Sequence, residues 1–101
     1  MTELVVTERA EAELLAIWLY IAADNEPAAD GVLRRIDGKI QFLRDFPDIG
    51  RRRDDLRPGA RILIEGAYLI LYDYHADDDV VEIVSVVDGR RDLKTLSLFS
   101  E

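Results

Sequence analysis

The sequence predicts an α+β domain of order βααβββ, in which a helical hairpin packs on one face of a small, mainly antiparallel four-stranded sheet. Two observations predict this class. Apolar residues recur at helical spacing through the first half of the chain and at strand spacing through most of the second half. Proline and glycine divide the halves at FPDIG, residues 46–50. The 101 residues, 49% hydrophobic and 34% charged, are expected to form one soluble domain, 1–101.

A strand and two amphipathic helices are predicted before the proline. LVV, residues 4–6, is short and rich in β-branched residues, and Thr7 is placed to cap a helix of about Glu8 to Ala23. A second helix, with proline in its first turn, continues from about Pro27 to Phe46. The short connection predicts an antiparallel hairpin. Gly38 is unfavourable inside a helix, so our hypothesis is that it marks close helix contact.

Three strands follow an arginine-rich loop and are predicted to form an antiparallel meander. Their expected bounds are Arg61–Ile64, Ala67–Tyr74 and Val80–Val87. Glu65 and Gly66 form a tight turn between the first two, and HADDD, residues 75–79, forms a looser one. The last strand is apolar on both faces, which predicts a central position, with the first strand of the chain joining an edge of the meander. The residues Leu93, Leu96, Leu98 and Phe99 indicate a terminal segment that docks on the core.

Composition excludes several classes of function. The net charge of −8 argues against a general nucleic-acid binder, whose affinity comes largely from neutralised phosphates. The absence of cysteine and the single histidine exclude thiolate sites and an ordinary zinc site, so neither a metal nor a cofactor is expected. No apolar run reaches about 18 residues, and the first residues lack the pattern of a signal peptide. We therefore expect a cytoplasmic protein that does not bind a membrane.

The charge is unevenly distributed along the chain. The segment from Arg51 to Arg61 contains five arginines and two aspartates. If Arg90 and Arg91 fold against that segment, one face of an acidic molecule becomes basic. The sheet face that the helices leave uncovered is where we expect a partner to bind.

Four stretches resemble the ParE branch of the RelE/ParE toxin superfamily. They are YIAADNEPAA (20–29), FPDIGRRRDDLRPGAR (46–61), YLILY (68–72) and VDGRRDL (87–93), in the same order and at similar spacing along essentially the whole chain. The resemblance implies a toxin of a bacterial toxin–antitoxin pair that poisons DNA gyrase and is silenced in a hetero-oligomer by a ParD-like antitoxin. It implies no stable binding of nucleic acid by the toxin alone. The signature commonly has a histidine where this chain has Asp88.

The RelE-like relatives are ribosome-dependent mRNA endonucleases, which gives the alternative function. Such cleavage needs a base, an acid and cations around the developing phosphorane. Arg61, Arg90 and Arg91 supply the cations if their strands are neighbours, but nothing from Asp92 onward is a tyrosine or histidine. His75 is interpreted as a solvated turn residue on the far side from VDGRRDL. We therefore predict a binder with no catalytic residues; a non-toxic member that only binds antitoxin is a third hypothesis.

Two sets of residues are candidate contacts. The first set is Arg61, Arg90, Arg91 and Asp92, which face the target or the antitoxin, or else lock the strand end, with Asp92 accepting hydrogen bonds from Arg61 or Arg91. The second set is Leu15, Trp18, Leu19 and Ala22. Leu15, Leu19 and Ala22 extend the apolar arc of the first helix beyond the core stripe that contains Trp18. We interpret this arc as a groove for the antitoxin helix, with core packing as the alternative for Trp18.

Overall fold

The structure, a computed structural model, describes residues 2–91, and within them two helices cover one face of a five-stranded sheet. The elements are β1 (Glu3–Val6), α1 (Glu8–Ala22), α2 (Glu26–Phe42), β2 (Arg51–Arg52), β3 (Ala60–Glu65), β4 (Tyr68–His75) and β5 (Val80–Asp88). The sheet order is β1-β5-β4-β3-β2, with β1 parallel to β5 and every other pair antiparallel. The predicted fold class is confirmed, and so are the meander and the position of the first strand.

The strand count differs from the prediction because of β2. Arg51 and Arg52 pair with Ile62 and Arg61 and add a fifth strand at the far edge of the sheet. Two charged residues carry no alternation of polar and apolar side chains, so the pattern that identifies longer strands cannot detect them. The first hairpin turn is also one residue later than predicted. It consists of Gly66, at φ +59°, and Ala67, because Glu65 still pairs with Tyr68.

Both helices begin where the sequence indicates. The side chain of Thr7 accepts a hydrogen bond from the Ala10 amide, and α1 ends within one residue of the prediction. The second helix ends at Phe42 and not at Phe46, because the amides of Leu43 and the next residues bond three residues back in tighter turns. Pro47 disfavours the helical conformation of the residue before it, so the end of the helix unwinds ahead of the proline. Neither described helix is long and apolar enough to cross a membrane.

The main core lies between the helices and the sheet. Its buried residues are Ala10, Ile17, Ile36, Ile40, Leu43, Ile70, Tyr72, Val81, Ile83 and Val86. A second cluster, on the opposite face of the sheet, consists of Leu56, Ala60, Ile62, Leu71, Val84 and Val87. Successive residues of a strand point to opposite faces, and β5 contributes to both clusters. This confirms the prediction that the last strand of the meander is central.

Side chains of α1 complete the edge of β5 where β1 ends. Beyond β1, the Thr7 hydroxyl donates to the Val84 carbonyl at 3.1 Å. Val84 is the extra residue of a β-bulge, because Leu71 pairs with Ser85 while the next residue of β4 pairs with Ile83. Six residues after Thr7, a carboxylate oxygen of Glu13 accepts from the Val86 amide at 3.0 Å and from the Ser85 hydroxyl at 2.8 Å. The helix therefore replaces the missing strand as a hydrogen-bonding partner.

The close-contact hypothesis for Gly38 is wrong. The residue is exposed, and a Cβ built on it meets nothing within 4 Å. The predicted terminal segment, which includes Leu93, Leu96, Leu98 and Phe99, lies outside the described residues.

Candidate partner-binding site

Asp88 binds the residues that follow it at the end of β5. It stands at the position where the signature described above commonly has a histidine. Asp88 is only 2% exposed. Its carboxylate accepts from the Arg90 amide at 2.8 Å, from the Arg90 guanidinium at 3.2 Å and from Arg91 Nε at 3.2 Å. The hydrogen bond from the Arg90 side chain is the largest cause that lowers the pKa of Asp88 to about 2, against the opposing effect of burial. Asp88 is therefore an acceptor for Arg91 that the sequence analysis did not name.

Arg90 and Arg91 each donate a side-chain hydrogen bond to Asp88, yet both side chains remain exposed to solvent. The side chain of Arg90 is 72% exposed, and that of Arg91 is 41% exposed. The guanidinium carbon of Arg91 also lies 3.9 Å from the ring centroid of Tyr20 on α1, in a cation–π contact. Each guanidinium group is thus bound at the end of the strand and also accessible from solvent. The two alternatives from the sequence, a locked strand end and an outward-facing contact, are therefore compatible. Asp92 lies outside the described residues, so its role stays a prediction.

Tyr20 is a residue that the sequence analysis missed. His75 and the residues from Asp92 onward were the only proton-transfer candidates near the C-terminal arginines that the sequence suggested, whereas the fold brings a tyrosine from α1 to Arg91. Tyr20 shares a hollow of about 490 Å³ with Arg9, Glu13, Asp88 and other residues. The sequence-based case against proton transfer therefore overlooked a tyrosine that lies beside Arg91. The contact of Tyr20 is made by its ring face, and Glu13 is engaged with the edge of β5, as described above.

Arg61 lies far from Arg90 and Arg91, so the predicted single basic face is wrong. Arg61 pairs with Tyr72, which pairs with Ile83, five residues before Asp88 on β5. At about 3.3 Å per strand residue, that separation is roughly 17 Å. The reason is the topology, because β3 and β5 run in the same direction on either side of β4. The start of β3 and the end of β5 are therefore at opposite ends of the sheet.

Arg61 instead fixes the loop that precedes β2. Its Nη1 donates to the carbonyls of Asp48 and Gly50 at 2.9 and 2.8 Å. The buried Tyr72 hydroxyl donates to the Pro47 carbonyl at 2.9 Å and accepts from the Gly50 amide at 2.8 Å. Burial is the largest cause that raises the pKa of Tyr72, which keeps the hydroxyl protonated as this donor. The FPDIG loop is thus held by two side chains, and this positions the arginines that follow it.

A second candidate surface lies on the sheet face that the helices leave uncovered. Its hollow of about 480 Å³ is lined by Arg51, Arg52, Arg53, Asp55, Ile62, Ile64 and Leu69. Arg52 pairs with Asp54 and Arg53 pairs with Asp55, each at 2.8 Å. Ile64 is 59% exposed. This surface therefore presents cationic groups beside exposed apolar area.

The outer face of α1 forms a third candidate surface. Leu15 and Leu19 are 58% and 55% exposed, which confirms the prediction that part of the apolar arc stays outside the core. Trp18 and Ala22 are half-buried on the same helical face, and the Trp18 indole donates to Asp30 of α2 at 2.8 Å. Trp18 therefore joins the hairpin, and the two leucines remain accessible to a partner. Their contact with an antitoxin stays a prediction.

Proteins of similar fold and sequence belong to toxin–antitoxin systems. A solved structure titled chromosomal ParDE TA system from P. aeruginosa matches with a TM-score of 0.72 over 87% of this chain and 96% of that one, at 22% identity, which shows the shared fold. The family described as ParE toxin of type II toxin-antitoxin system, parDE, matches residues 4–93. Toxin ParE3 of Caulobacter vibrioides is 31% identical over 94 residues, which is 92% of each chain. The chain belongs to the ParE toxin family, and the resemblance is confirmed.

Proposed function

We propose that this chain poisons DNA gyrase by binding the complex of gyrase with DNA, performs no chemistry of its own, and is neutralised by a ParD-like antitoxin. Family membership across residues 4–93 supports the proposal, since it covers nearly the whole chain. The 31% identity to Toxin ParE3 over 92% of both chains supports it further. Gyrase as target implies action in the cytoplasm.

The strand pairing offsets Arg61 from the end of β5 by roughly 17 Å along the strands, and this offset favours binding over chemistry. Cleavage of RNA requires cations that converge on one phosphorane, with a base and an acid within hydrogen-bond reach. Arg61 is engaged with loop carbonyls at one end of the sheet, while Asp88 holds the other two arginines at the opposite end. The three guanidinium groups named as candidate cations do not surround a common point.

Arg90 is the strongest candidate for a target contact. Its backbone amide and its side chain both bond to the buried Asp88 carboxylate, so the guanidinium loses little further freedom when a partner binds. Arginine anchors of this kind are enriched among the residues that dominate binding energy. The antitoxin is proposed to bind a different surface, with an amphipathic helix of its own that packs against Leu15 and Leu19.

Expression from a tightly repressed promoter in bacterial cells tests the proposed function. We expect filamentation with a DNA-damage response, and rescue when a ParD-like antitoxin is expressed from the same operon or supplied in trans. Arrest of translation with cleaved messages would instead identify the ribosome-dependent endonuclease. Growth without any defect, at confirmed levels of folded protein, would contradict toxicity and support a member that only binds antitoxin.

A further inference from the structure

Three potential metal ligands converge at the end of the sheet opposite Asp88. Asp73 and Glu82 are directly paired across β4 and β5, and His75 follows Asp73 by two residues on the same face. One ligand atom from each side chain lies within 4.8 Å of the other two. These residues serve neither the proposed gyrase contact nor the antitoxin face. We propose that Asp73, His75 and Glu82 form a site for a transition-metal dication, with Zn²⁺ as the ion that fits the donors best.

Electrostatics favour a cation at this position. Two carboxylates directly opposite each other on neighbouring strands repel, which destabilises the pairing. Arg57 forms an ion pair with one oxygen, Oδ2, of Asp73. It compensates one of the two negative charges, and His75 contacts the second carboxylate, with Nε2 3.2 Å from Glu82 Oε1. A dication bound between the three side chains stabilises both carboxylates together.

The donor set selects the type of metal. One imidazole nitrogen with two carboxylate oxygens suits Zn²⁺ and its neighbours in the transition series, whereas Ca²⁺ and Mg²⁺ prefer oxygen ligands alone. Tetrahedral zinc with bonds near 2.0–2.1 Å places its ligand atoms roughly 3.3 Å apart. His75 Nε2 and Glu82 Oε1 are already at 3.2 Å. Both side chains are more than a third exposed, so they can adjust to the ion, and a water can complete the coordination.

A bound ion would join β4 to β5 beside the turn that holds the start of the chain. In that turn, Asp79 accepts from the Thr2 hydroxyl at 2.8 Å, and its carbonyl accepts from the Glu3 amide at 3.0 Å. The composition argued against zinc because the chain has one histidine and no cysteine. Strand pairing supplies the remaining donors, which a search for histidine and cysteine spacing does not detect.

Titration of the full chain with ZnCl₂, followed by calorimetry and by thermal melting, tests the site. We expect saturable binding of one ion and a higher melting temperature with Zn²⁺ than with a chelator. His75→Ala and Glu82→Gln should each weaken binding by at least about ten-fold, since each removes a ligand. Asp77→Asn, which removes a carboxylate from the same turn but not from the site, should leave the affinity unchanged. Substitution of Co²⁺ should give a visible absorption band that His75→Ala abolishes.

Two results would overturn the metal site. One is the absence of saturable binding up to about 1 mM Zn²⁺, because a preformed coordination site is expected to bind more tightly than that. The other is a Zn²⁺ affinity of His75→Ala within about two-fold of that of the unsubstituted chain, because loss of a metal ligand should weaken binding by more than this. His75→Gln, which keeps the size of the side chain, serves as the second variant, and melting in chelator verifies that each variant is folded. Neither result bears on gyrase, so this proposal and the proposed function fail independently.

Discussion

At the scale of the residue, one carboxylate determines how the most charged segment of the chain is presented. The sequence identified Arg90 and Arg91 as candidate contacts, and one of its two alternatives had Asp92 accept hydrogen bonds from Arg61 or Arg91. Asp88 lies two residues before Arg90, and the sequence alone does not show that its carboxylate is buried at the end of β5. The acceptor with 2% exposure binds both guanidinium groups. Tyr20 could not be linked to Arg91 from the sequence, because no local pattern gives the distance between a helix and a strand end.

Asp88→Asn tests this arrangement. Asparagine keeps an oxygen for the Arg90 amide but loses the charge that both guanidinium groups bind. A pKa lowered to about 2, against roughly 3.9 in the unfolded chain, corresponds to about 2 kcal/mol of stability at neutral pH. We expect urea denaturation at pH 7 to show a loss of that order.

The pH dependence of the difference between the two proteins supplies the control. A lowered pKa contributes its full stability above the pKa of the unfolded chain and loses it as the pH falls through the folded value. The stability difference between the original chain and Asp88→Asn should therefore be constant above about pH 5 and shrink between roughly pH 4 and pH 2. A difference that does not change across this window would contradict the assigned pKa.

At the scale of the element, the chain could be divided into helices and strands from its apolar spacing, while the connections required the structure. The signal was strong for β5, whose apolar residues face both clusters, and absent for the two-residue β2. The distance between Arg61 and Arg90 was available in principle, because the first and third strands of a meander run in the same direction. What the sequence could not give is the loop at Gly50, whose position depends on Tyr72 and Arg61 from other strands.

Two glycines with opposite environments form a matched pair of substitutions. A Cβ at Gly50 would lie 2.5 Å from the Tyr72 hydroxyl, so Gly50→Ala must displace a buried ring or the loop. We expect a loss of about 1–3 kcal/mol or more in the free energy of unfolding. Gly38→Ala, in the exposed interior of α2, should raise it by about 0.5–1 kcal/mol. Chemical denaturation measures both, and equal effects of the two substitutions would contradict the described packing.

Glu13 of α1 supplies hydrogen-bond acceptors to the edge of β5, and Glu13→Ala tests this role. The substitution leaves the Val86 amide and the Ser85 hydroxyl without their acceptor, which should cost about 1–3 kcal/mol. Hydrogen exchange at the Val86 amide should accelerate in the same variant. Glu13→Gln retains one acceptor oxygen and should recover part of the loss, whereas Glu11→Ala, exposed on the same helix, should cost less than about 1 kcal/mol. Equal losses of stability in Glu11→Ala and Glu13→Ala would show that the hydrogen bonds from β5 to Glu13 do not stabilise the fold.

At the scale of the whole molecule, an acidic domain presents exposed cationic groups at two places and exposed apolar side chains on α1. The net charge is −8, yet Arg51–Arg53 line a hollow at the β2 edge of the sheet and Arg90 projects beyond the end of β5. The exposed leucines lie on the outer face of α1, and Tyr20, which follows Leu19, contacts Arg91. Local basic groups on an acidic body favour binding to defined acidic surfaces over general binding to nucleic acid.

Leu15→Glu and Leu19→Glu test the antitoxin face. A charge at an apolar anchor position should weaken binding of a ParD-like antitoxin by at least about ten-fold. The melting temperature should change little, because both side chains are more than half exposed. Gln41→Glu adds the same charge at an exposed position of α2 and serves as the control in the titration. An unchanged affinity in both leucine variants would remove this face from the antitoxin interface.

The most direct test of the account is a DNA cleavage assay with purified gyrase, supercoiled DNA and the purified chain. We predict that gyrase-linked linear DNA accumulates with increasing toxin, and that Arg90→Ala, with its fold verified by melting, lowers the effect by more than about five-fold. Leu15→Glu should retain full activity, because it alters only the proposed antitoxin face. Unchanged gyrase activity, together with cleavage of messenger RNA on purified ribosomes by the same preparation, would contradict a non-enzymatic gyrase poison.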